Sequence, residues 1–188
     1  MPQWVSKEAG LIMTKIVKAP EKHQDVRKFR TLLYFCTSMN KQQDAPLPGH
    51  SIVEKGGKRM IFDRFRRRYV PLTPEEWVRQ VFLNWLVRER GFPPGLISVE
   101  HSLKYEQRWK RADAVVFNNT GQAVMLVECK APSVSLDQSV LDQIARYNMA
   151  FSVPWLMVTN GTQRICCRFH AQTSQWEFSG ELPHYAEL

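Results

Sequence analysis

The chain has 188 residues, of which 44% are hydrophobic and 23% charged, and these values are ordinary for one soluble globular domain. Its 26 lysine and arginine residues outnumber its 18 aspartate and glutamate residues, and the net charge of +8 favours a polyanionic partner, nucleic acid before an anionic membrane. The 4 cysteines include no CxxC pair and no apolar run is long enough to span a membrane. These features argue against a zinc site and a membrane protein, and favour a reduced protein of the cytoplasm.

Residues 1–46 differ from the rest of the chain. They are polar and basic, with 8 lysine and arginine residues against 4 acidic ones, and they sustain neither a helical nor a strand period. Three interpretations stay open for this basic extension: an arm for nucleic acid, a poorly packed or disordered segment, or sequence upstream of the natural start. We expect a folded domain over residues 47–188.

A helix is predicted to begin at Pro74 and to end near Arg90. Thr73 is a good N-cap residue, and Glu76 would complete a Thr-x-x-Glu capping box with it. Gly91 is typical of the residue that ends a helix in the left-handed conformation. Apolar residues at helical spacing give this helix one buried face, formed by Val78, Val81, Phe82, Trp85 and Leu86.

Eight other segments have the length and apolar pattern of strands. They are 59–62, 68–70, 96–103, 111–117, 123–128, 154–159, 163–169 and, at an edge of the sheet, 176–178. Asn118 to Gly121 is predicted to be a hairpin turn. A second helix, from residue 135 or 136 to about 151, would connect its flanking strands in parallel. This order predicts an α/β fold with a mixed central sheet flanked by helices.

Two acidic residues and a lysine form the most informative constellation. Side chains alternate along a strand, so Glu128 and Lys130 project together while Cys129 points the other way, into the core. Asp113 is an isolated carboxylate in an apolar run, and pairing about the 118–121 turn places it opposite residues 127–128. A Glu-x-Lys pair alone is usually an exposed ion pair of little energetic value, and the matching register of Asp113 is what favours a catalytic site.

Neighbouring carboxylates repel each other unless a cation lies between them. Mg²⁺, for which Mn²⁺ can substitute, prefers oxygen ligands, which Asp113, Glu128 and the backbone carbonyl of Cys129 would supply. Such a metal would polarise a scissile phosphate and lower the pKa of a bound water. Lys130 would orient that water and stabilise charge in the transition state.

These residues resemble a known family. Asp113 followed by Glu128-Cys129-Lys130 is similar to the core motif of PD-(D/E)xK nucleases, although Ala112 stands where the motif has proline. Gln143 and Tyr147 are similar to the Gln-x-x-x-Tyr element of one branch of that superfamily. The residues at 72–80, 127–132 and 142–148 resemble the N-terminal nuclease domain of type I restriction enzyme R subunits, and more closely the short stand-alone proteins of that family. The resemblance covers about residues 50–170.

The resemblance implies a restriction-endonuclease-like core and Mg²⁺-dependent hydrolysis of phosphodiester bonds in DNA. By position, Asp113, Glu128 and Lys130 match the catalytic triad, and Gln143 and Tyr147 match residues that help to position Lys130 and the DNA backbone. The family also places a glutamate of the first core helix near the metal. Glu75 and Glu76 both qualify, and we favour Glu75 because it lies three, seven and eleven residues before apolar positions of the buried stripe.

Basic residues near these positions are predicted to contact DNA phosphates. They are Arg66, Arg67, Arg68, Lys104, Arg108, Lys110 and Arg111. The sequence contains no GxxxxGK[ST] phosphate loop, so restriction coupled to an ATPase motor would need partner subunits of a restriction or repair system. The alternatives to an active endonuclease are a catalytically silent DNA-binding module of the same fold and a subunit that docks on a partner protein.

Overall fold

The computed structural model describes residues 17–18, 51–105, 108–137, 140, 152–173 and 175–188. More than half of these residues lie in short strands and in one long helix. In chain order these elements are β1 (Val17–Lys18), β2 (Ile52–Lys55), β3 (Lys58–Asp63), β4 (Arg68–Pro71), α1 (Pro74–Arg90), β5 (Ile97–Val99), β6 (Ser102–Tyr105), β7 (Arg108–Arg111), β8 (Ala114–Phe117), β9 (Ala123–Cys129), β10 (Trp155–Thr159), β11 (Arg164–His170) and β12 (Gln175–Ser179).

The main sheet contains seven of the described strands, in the order β1-β12-β11-β10-β9-β8-β5. Strands β9 and β10 are parallel, whereas the other neighbours in this sheet are antiparallel. The sheet is therefore mixed, which confirms the predicted α/β class and the predicted parallel connection between these two strands. Of the second predicted helix, residues 135–137 are not helical, Val140 is helical, and residues 141–151 lie outside the described residues.

Helix α1 has the predicted ends. The Thr73 hydroxyl accepts a hydrogen bond from the Glu76 backbone N–H at 3.0 Å, and Gly91 ends the helix with φ of 70°. The predicted stripe is buried except for Trp85, which is partly buried. It packs on one face of the sheet against alternate residues of β8, β9 and β10, such as Met125 and Val127, so that α1 covers the strands that carry the candidate site.

The opposite face of the sheet has a second apolar cluster. The residues between those of the first cluster point there, among them Val115, Leu126 and Val158. Leu136, Val140 and Val153 pack against them. Strands β8, β9 and β10 are therefore buried on both faces, which explains why their sequences are almost continuously apolar.

Two predicted strands are each divided in the structure. Segment 96–103 contains β5 and β6, separated by Glu100 with φ of 52°, and segment 111–117 contains the end of β7 and β8, separated by Asp113. The two interruptions face each other: the Glu100 N–H donates to the Asp113 carbonyl at 2.8 Å, and the Ala112 N–H donates to the His101 carbonyl at 2.9 Å. The paired segments therefore leave the main sheet at the same place. Beyond this bend they continue as the separate β6–β7 pair.

The remaining strands include two additions to the prediction. Segments 59–62 and 68–70 are strands, as predicted, and β2 joins them to form a three-stranded sheet in the order β2-β3-β4. Segment 176–178 lies in β12, but β1 pairs with it on the outside, through Val17 and Trp176, so β12 is not an edge strand. Within the part of the chain that the structure describes, no helix is long and apolar enough to cross a membrane.

Candidate active site

Strand pairing brings the three central residues of the predicted site together. The register of β8 and β9 pairs Ala114 with Val127, and Asp113, just before β8, accepts a hydrogen bond from the Cys129 N–H next to Glu128. The ammonium of Lys130, just after β9, donates to Glu128 Oε1 at 2.9 Å. Cys129 lies between them with its side chain buried in the cluster on the α1 side, as strand alternation requires.

Asp113 is held at both carboxylate oxygens. Its Oδ2 accepts a hydrogen bond from the Cys129 backbone N–H at 2.6 Å, and its Oδ1 accepts one from Arg79 Nη2 at 2.6 Å. The first bond ties the carboxylate to the end of β9, and the second ties it to helix α1. Charged hydrogen bonds of this length are strong, so the position of Asp113 is set before any ligand binds.

Burial shapes the electrostatics of Glu128 and Lys130. The Glu128 side chain is only 10% exposed, and this burial, together with the negative charge of Asp113, raises its pKa to about 7 despite the opposing effect of Lys130. Burial alone would lower the pKa of Lys130, but the hydrogen bond and the charge of Glu128, with Asp113 nearby, raise it above its ordinary value. Lys130 therefore keeps its proton, while Glu128 changes charge near neutral pH.

Arg79 is a member of the site that the sequence analysis missed. Its guanidinium is 7% exposed and binds Glu76 as well as Asp113, and its Nη2 lies 3.6 Å from Glu75 Oε1. The spacing contains a signal for it, since Arg79 stands three residues after Glu76, next to the apolar stripe. Burial lowers the pKa of Arg79, but Asp113 and Glu76 raise it further, so Arg79 stays charged.

The two glutamates of α1 differ from the expected roles. Glu76 was predicted to complete the capping box, but its buried carboxylate accepts hydrogen bonds from Arg66, Arg79 and Gln80 instead. Glu75, the favoured site residue, is 47% exposed and lies beside Arg79 at the margin of the site. Glu76 is thus the more deeply buried of the pair. Two arginines neutralise its charge, and the Gln80 amide donates a further hydrogen bond to it.

Arg66 has a structural position rather than the exposed one that a phosphate contact requires. Its side chain is 11% exposed, and its guanidinium binds Asp63 at the end of β3, Glu76 on α1 and, at 2.8 Å, Glu100. The predicted contact of Arg66 with DNA would have to compete with these three ion pairs. Arg66 instead joins the three-stranded sheet to the helix, and its bond to Glu76 continues through Arg79 to Asp113.

The other predicted DNA contacts have different environments. Arg67, Arg68, Lys104 and Arg111 are exposed, and Lys110 is partly buried. Arg68 and Arg111 each lie 3.8 Å from Glu100, too far for a strong ion pair. The side chain of Arg108 lies outside the described residues, as do Gln143 and Tyr147 of the predicted second helix.

The donors present fit a hard cation better than a soft one. Among the described residues, no group of three or more histidine, cysteine, aspartate and glutamate side chains is placed to hold a metal ion. Asp113 and Glu128 offer two carboxylates beside the end of β9, to which the Cys129 carbonyl would add a third oxygen. Mg²⁺ is commonly held by one or two carboxylates while it keeps several waters, so this small oxygen set suits it.

The mixed sheet and the helix packed on it define an α/β fold, with Asp113, Glu128 and Lys130 together beside the ends of β8 and β9. Residues 74–183, more than half of the chain, match the family model for the type I restriction enzyme R protein N terminus, and the chain belongs to this family.

One solved structure is similar to the chain: a fragment of a putative HsdR subunit of a type I restriction enzyme from Vibrio vulnificus, with 18% identity and a TM-score of 0.47. The match covers 62% of this chain and 24% of that one, so this chain spans about a quarter of its length. No curated protein matches the sequence.

Proposed function

We propose that this chain is a metal-dependent DNA endonuclease that hydrolyses phosphodiester bonds with Mg²⁺, for which Mn²⁺ can substitute. One observation carries the proposal: the Asp113 carboxylate is bonded to the Cys129 N–H, next to Glu128, and Lys130 is bonded to Glu128. Membership of the type I restriction R protein N-terminal family supports a nuclease of the PD-(D/E)xK type. The proposed site of action is the cytoplasm, where the protein would act on DNA alone or with subunits of a restriction or repair system.

Asp113, Glu128 and the Cys129 carbonyl would hold the metal, and Arg79 orients Asp113 for this task. When bound, the metal supplies Lewis-acid chemistry that polarises the scissile phosphate and activates water. Glu128 must be ionised for this role. Because its pKa is raised to about 7, the carboxyl still holds part of its proton near neutral pH and must release it when the metal binds.

Lys130 acts through its charge rather than as a base. Its raised pKa keeps the proton on Nζ, so it donates hydrogen bonds to the phosphate or to the attacking water and stabilises negative charge in the transition state. Gln143 and Tyr147 are proposed to help position Lys130 and the DNA backbone, and Glu75 to extend the acidic site at its exposed margin.

A cleavage assay tests the proposal. Circular and linear DNA are incubated with wild type and Lys130→Ala, in Mg²⁺ and in EDTA, with Arg88→Ala, an exposed position of α1, as the control. Cleavage by wild type should require Mg²⁺, persist in Arg88→Ala and fall at least about 100-fold in Lys130→Ala while DNA binding remains, because one transition-state contact is removed.

Other outcomes point to the alternatives. Metal-dependent cutting that Lys130→Ala leaves unchanged would refute the assigned site. Wild type that binds DNA but never cuts it would favour the catalytically silent DNA-binding module. Stable co-purification with another restriction or repair subunit, without DNA binding by this chain, would favour the docking subunit.

A further inference from the structure

The β2–β3 ribbon stands away from the body of the protein. Residues 51–59, which include all of β2, the Gly56-Gly57 turn and the start of β3, are exposed on both faces of the ribbon. Further along β3, Ile61 is fully buried and packs the base of the ribbon into the domain. An isolated two-stranded hairpin is only marginally stable, so β4 and this buried base hold it in place.

The exposed charge of this region is almost entirely positive. Between residues 51 and 72 the exposed acidic residue is Glu54, since Asp63 is buried and bound to Arg66. Against it stand six exposed basic residues, Lys55, Lys58, Arg59, Arg64, Arg67 and Arg68. A concentration of one sign of charge on a projecting element attracts a polyanion before contact is made.

Strand register places two of these charges side by side. Lys55 pairs with Lys58 at the tip, and the next pair on the same face is Val53 with Met60. Exposed Tyr69 of β4 lies on this face too, because it pairs with Phe62, two residues after Met60. This face therefore combines paired ammonium groups with apolar and aromatic surface, whereas on the other face Arg59 lies opposite Glu54.

The base of the ribbon is fixed to the candidate active site. Arg66, in the turn between β3 and β4, binds Glu76 of α1 and Glu100 beside β5. Glu76 in turn binds Arg79, which holds Asp113. Any ligand that the ribbon contacts is consequently placed at a set position relative to Asp113.

We propose that the β2–β3 ribbon is a contact surface for duplex DNA, in which Lys55, Lys58 and Arg59 bind backbone phosphates while the ribbon lies in the major groove. This inference rests on the proposed function, since it assigns the path of the DNA to the same site. The major groove is wide enough for a two-stranded ribbon, and a ribbon exposed on both faces can contact both walls of the groove.

The test measures binding to a fluorescent duplex in EDTA over a range of salt concentrations, so that cleavage plays no part. Lys55→Gln/Lys58→Gln is compared with Arg88→Gln/Arg168→Gln, which removes the same charge from exposed positions of α1 and β11. Each lost phosphate contact reduces the slope of log K against log salt by about 0.9. The ribbon variant should therefore lose about 1.8 from the slope and bind more weakly, and the control should keep the wild-type slope.

Glu54→Gln changes a residue of the same ribbon, and this variant should bind the duplex at least as tightly as wild type. It therefore separates the loss of phosphate contacts from damage to the hairpin. Wild-type slope and affinity in Lys55→Gln/Lys58→Gln would overturn the inference, as would wild type that binds a single-stranded oligonucleotide more tightly than the duplex. Duplex binding that follows the expected pattern without any cleavage in Mg²⁺ would overturn the nuclease proposal and leave the ribbon interface standing.

Discussion

Arg79 and Asp113 form an ion pair, with 2.6 Å between Nη2 and Oδ1, that joins helix α1 to the bend before strand β8. The guanidinium also binds Glu76, and both partners are largely removed from solvent. The pair thus connects the packing of the helix to the geometry of the candidate site, and its loss leaves charges buried without compensation.

Arg79→Ala is expected to destabilise the protein by about 3–5 kcal/mol, because Asp113 and Glu76 would lose their shared cation inside the protein. Urea unfolding followed by circular dichroism measures this change. Arg88→Ala, at an exposed position of the same helix, should change the stability by no more than about 0.5 kcal/mol. Equal effects of the two substitutions would show that Arg79 has no special structural role.

Asp113→Asn is expected to lower the pKa of Glu128 from about 7, because the charge of Asp113 is, after burial, the largest influence that raises it. Burial remains in the variant, so the value should stay above the ordinary 4.5. Carbon-detected NMR titration of the Glu128 carboxyl measures the shift. Glu54→Gln removes a remote carboxylate as a control, and an unchanged Glu128 titration in Asp113→Asn would contradict the proximity of the two acids.

Glu128 should make stability in EDTA depend on pH. The folded-state pKa of Glu128 is raised above its unfolded value. The protonated carboxyl therefore adds to the free energy of unfolding fully below about pH 4.5, and this addition is lost as the pH rises through about 7. The stability of wild type relative to Glu128→Gln should therefore fall between these limits, by on the order of 3 kcal/mol. Thermal unfolding of both proteins across this pH range supplies the measurement, and a difference that grows with pH would reverse the inferred sign.

The sequence predicted helix α1 well because its signals are local. Thr73, Pro74 and Gly91 satisfy or end backbone hydrogen bonds within one turn, and no distant residue is needed to interpret them. The parallel pairing of β9 and β10 followed from two apolar strands with a connection long enough for a crossover. In both cases the physical cause lies within a short stretch of chain.

The divided strands could not be predicted in the same way. Glu100 has a positive φ, which a non-glycine residue adopts only when its surroundings compensate for the strain, and here the Asp113 carbonyl accepts its N–H. That compensation comes from a segment distant in sequence. The position of Asp113 in a bend, rather than within a strand, follows from the same pair of interruptions.

The candidate site was predicted in its acidic pair and lysine but not in its arginines. The sequence predicts that Arg66 is one of several exposed charges in a basic turn. The structure instead places it among Asp63, Glu76 and Glu100. Periodicity favours Glu75 over Glu76 because it counts apolar neighbours alone. The spacing of apolar residues does not reveal a glutamate such as Glu76, whose charge is neutralised by arginines from the β3–β4 turn and from α1.

Arg66→Ala is expected to loosen the three-stranded sheet, because one side chain binds carboxylates from the end of β3, from α1 and from beside β5. Amide hydrogen exchange should accelerate in β3 and β4 far more than in the central strands β9 and β10, since local opening requires only the separation of this sheet from the helix. Arg67→Ala, which removes the exposed neighbour, is the matched control. Uniform acceleration across all strands would indicate global destabilisation instead.

Gly91→Ala is expected to destabilise the protein by about 1 kcal/mol, because Gly91 ends α1 at φ of 70°, where a side chain is strained. Gly95→Ala is a close control, since this glycine has ordinary backbone geometry and open space around it. Chemical denaturation should separate the two variants clearly. A Gly91→Ala protein as stable as Gly95→Ala would mean that the helix end relaxes without cost.

Cys129 belongs to two environments at once, because its thiol fills the apolar layer under α1 while its N–H holds Asp113. Enlarging or shrinking this one side chain would shift the peptide unit that anchors the carboxylate. A core substitution at position 129 would consequently move the Asp113 carboxylate even where the fold still forms.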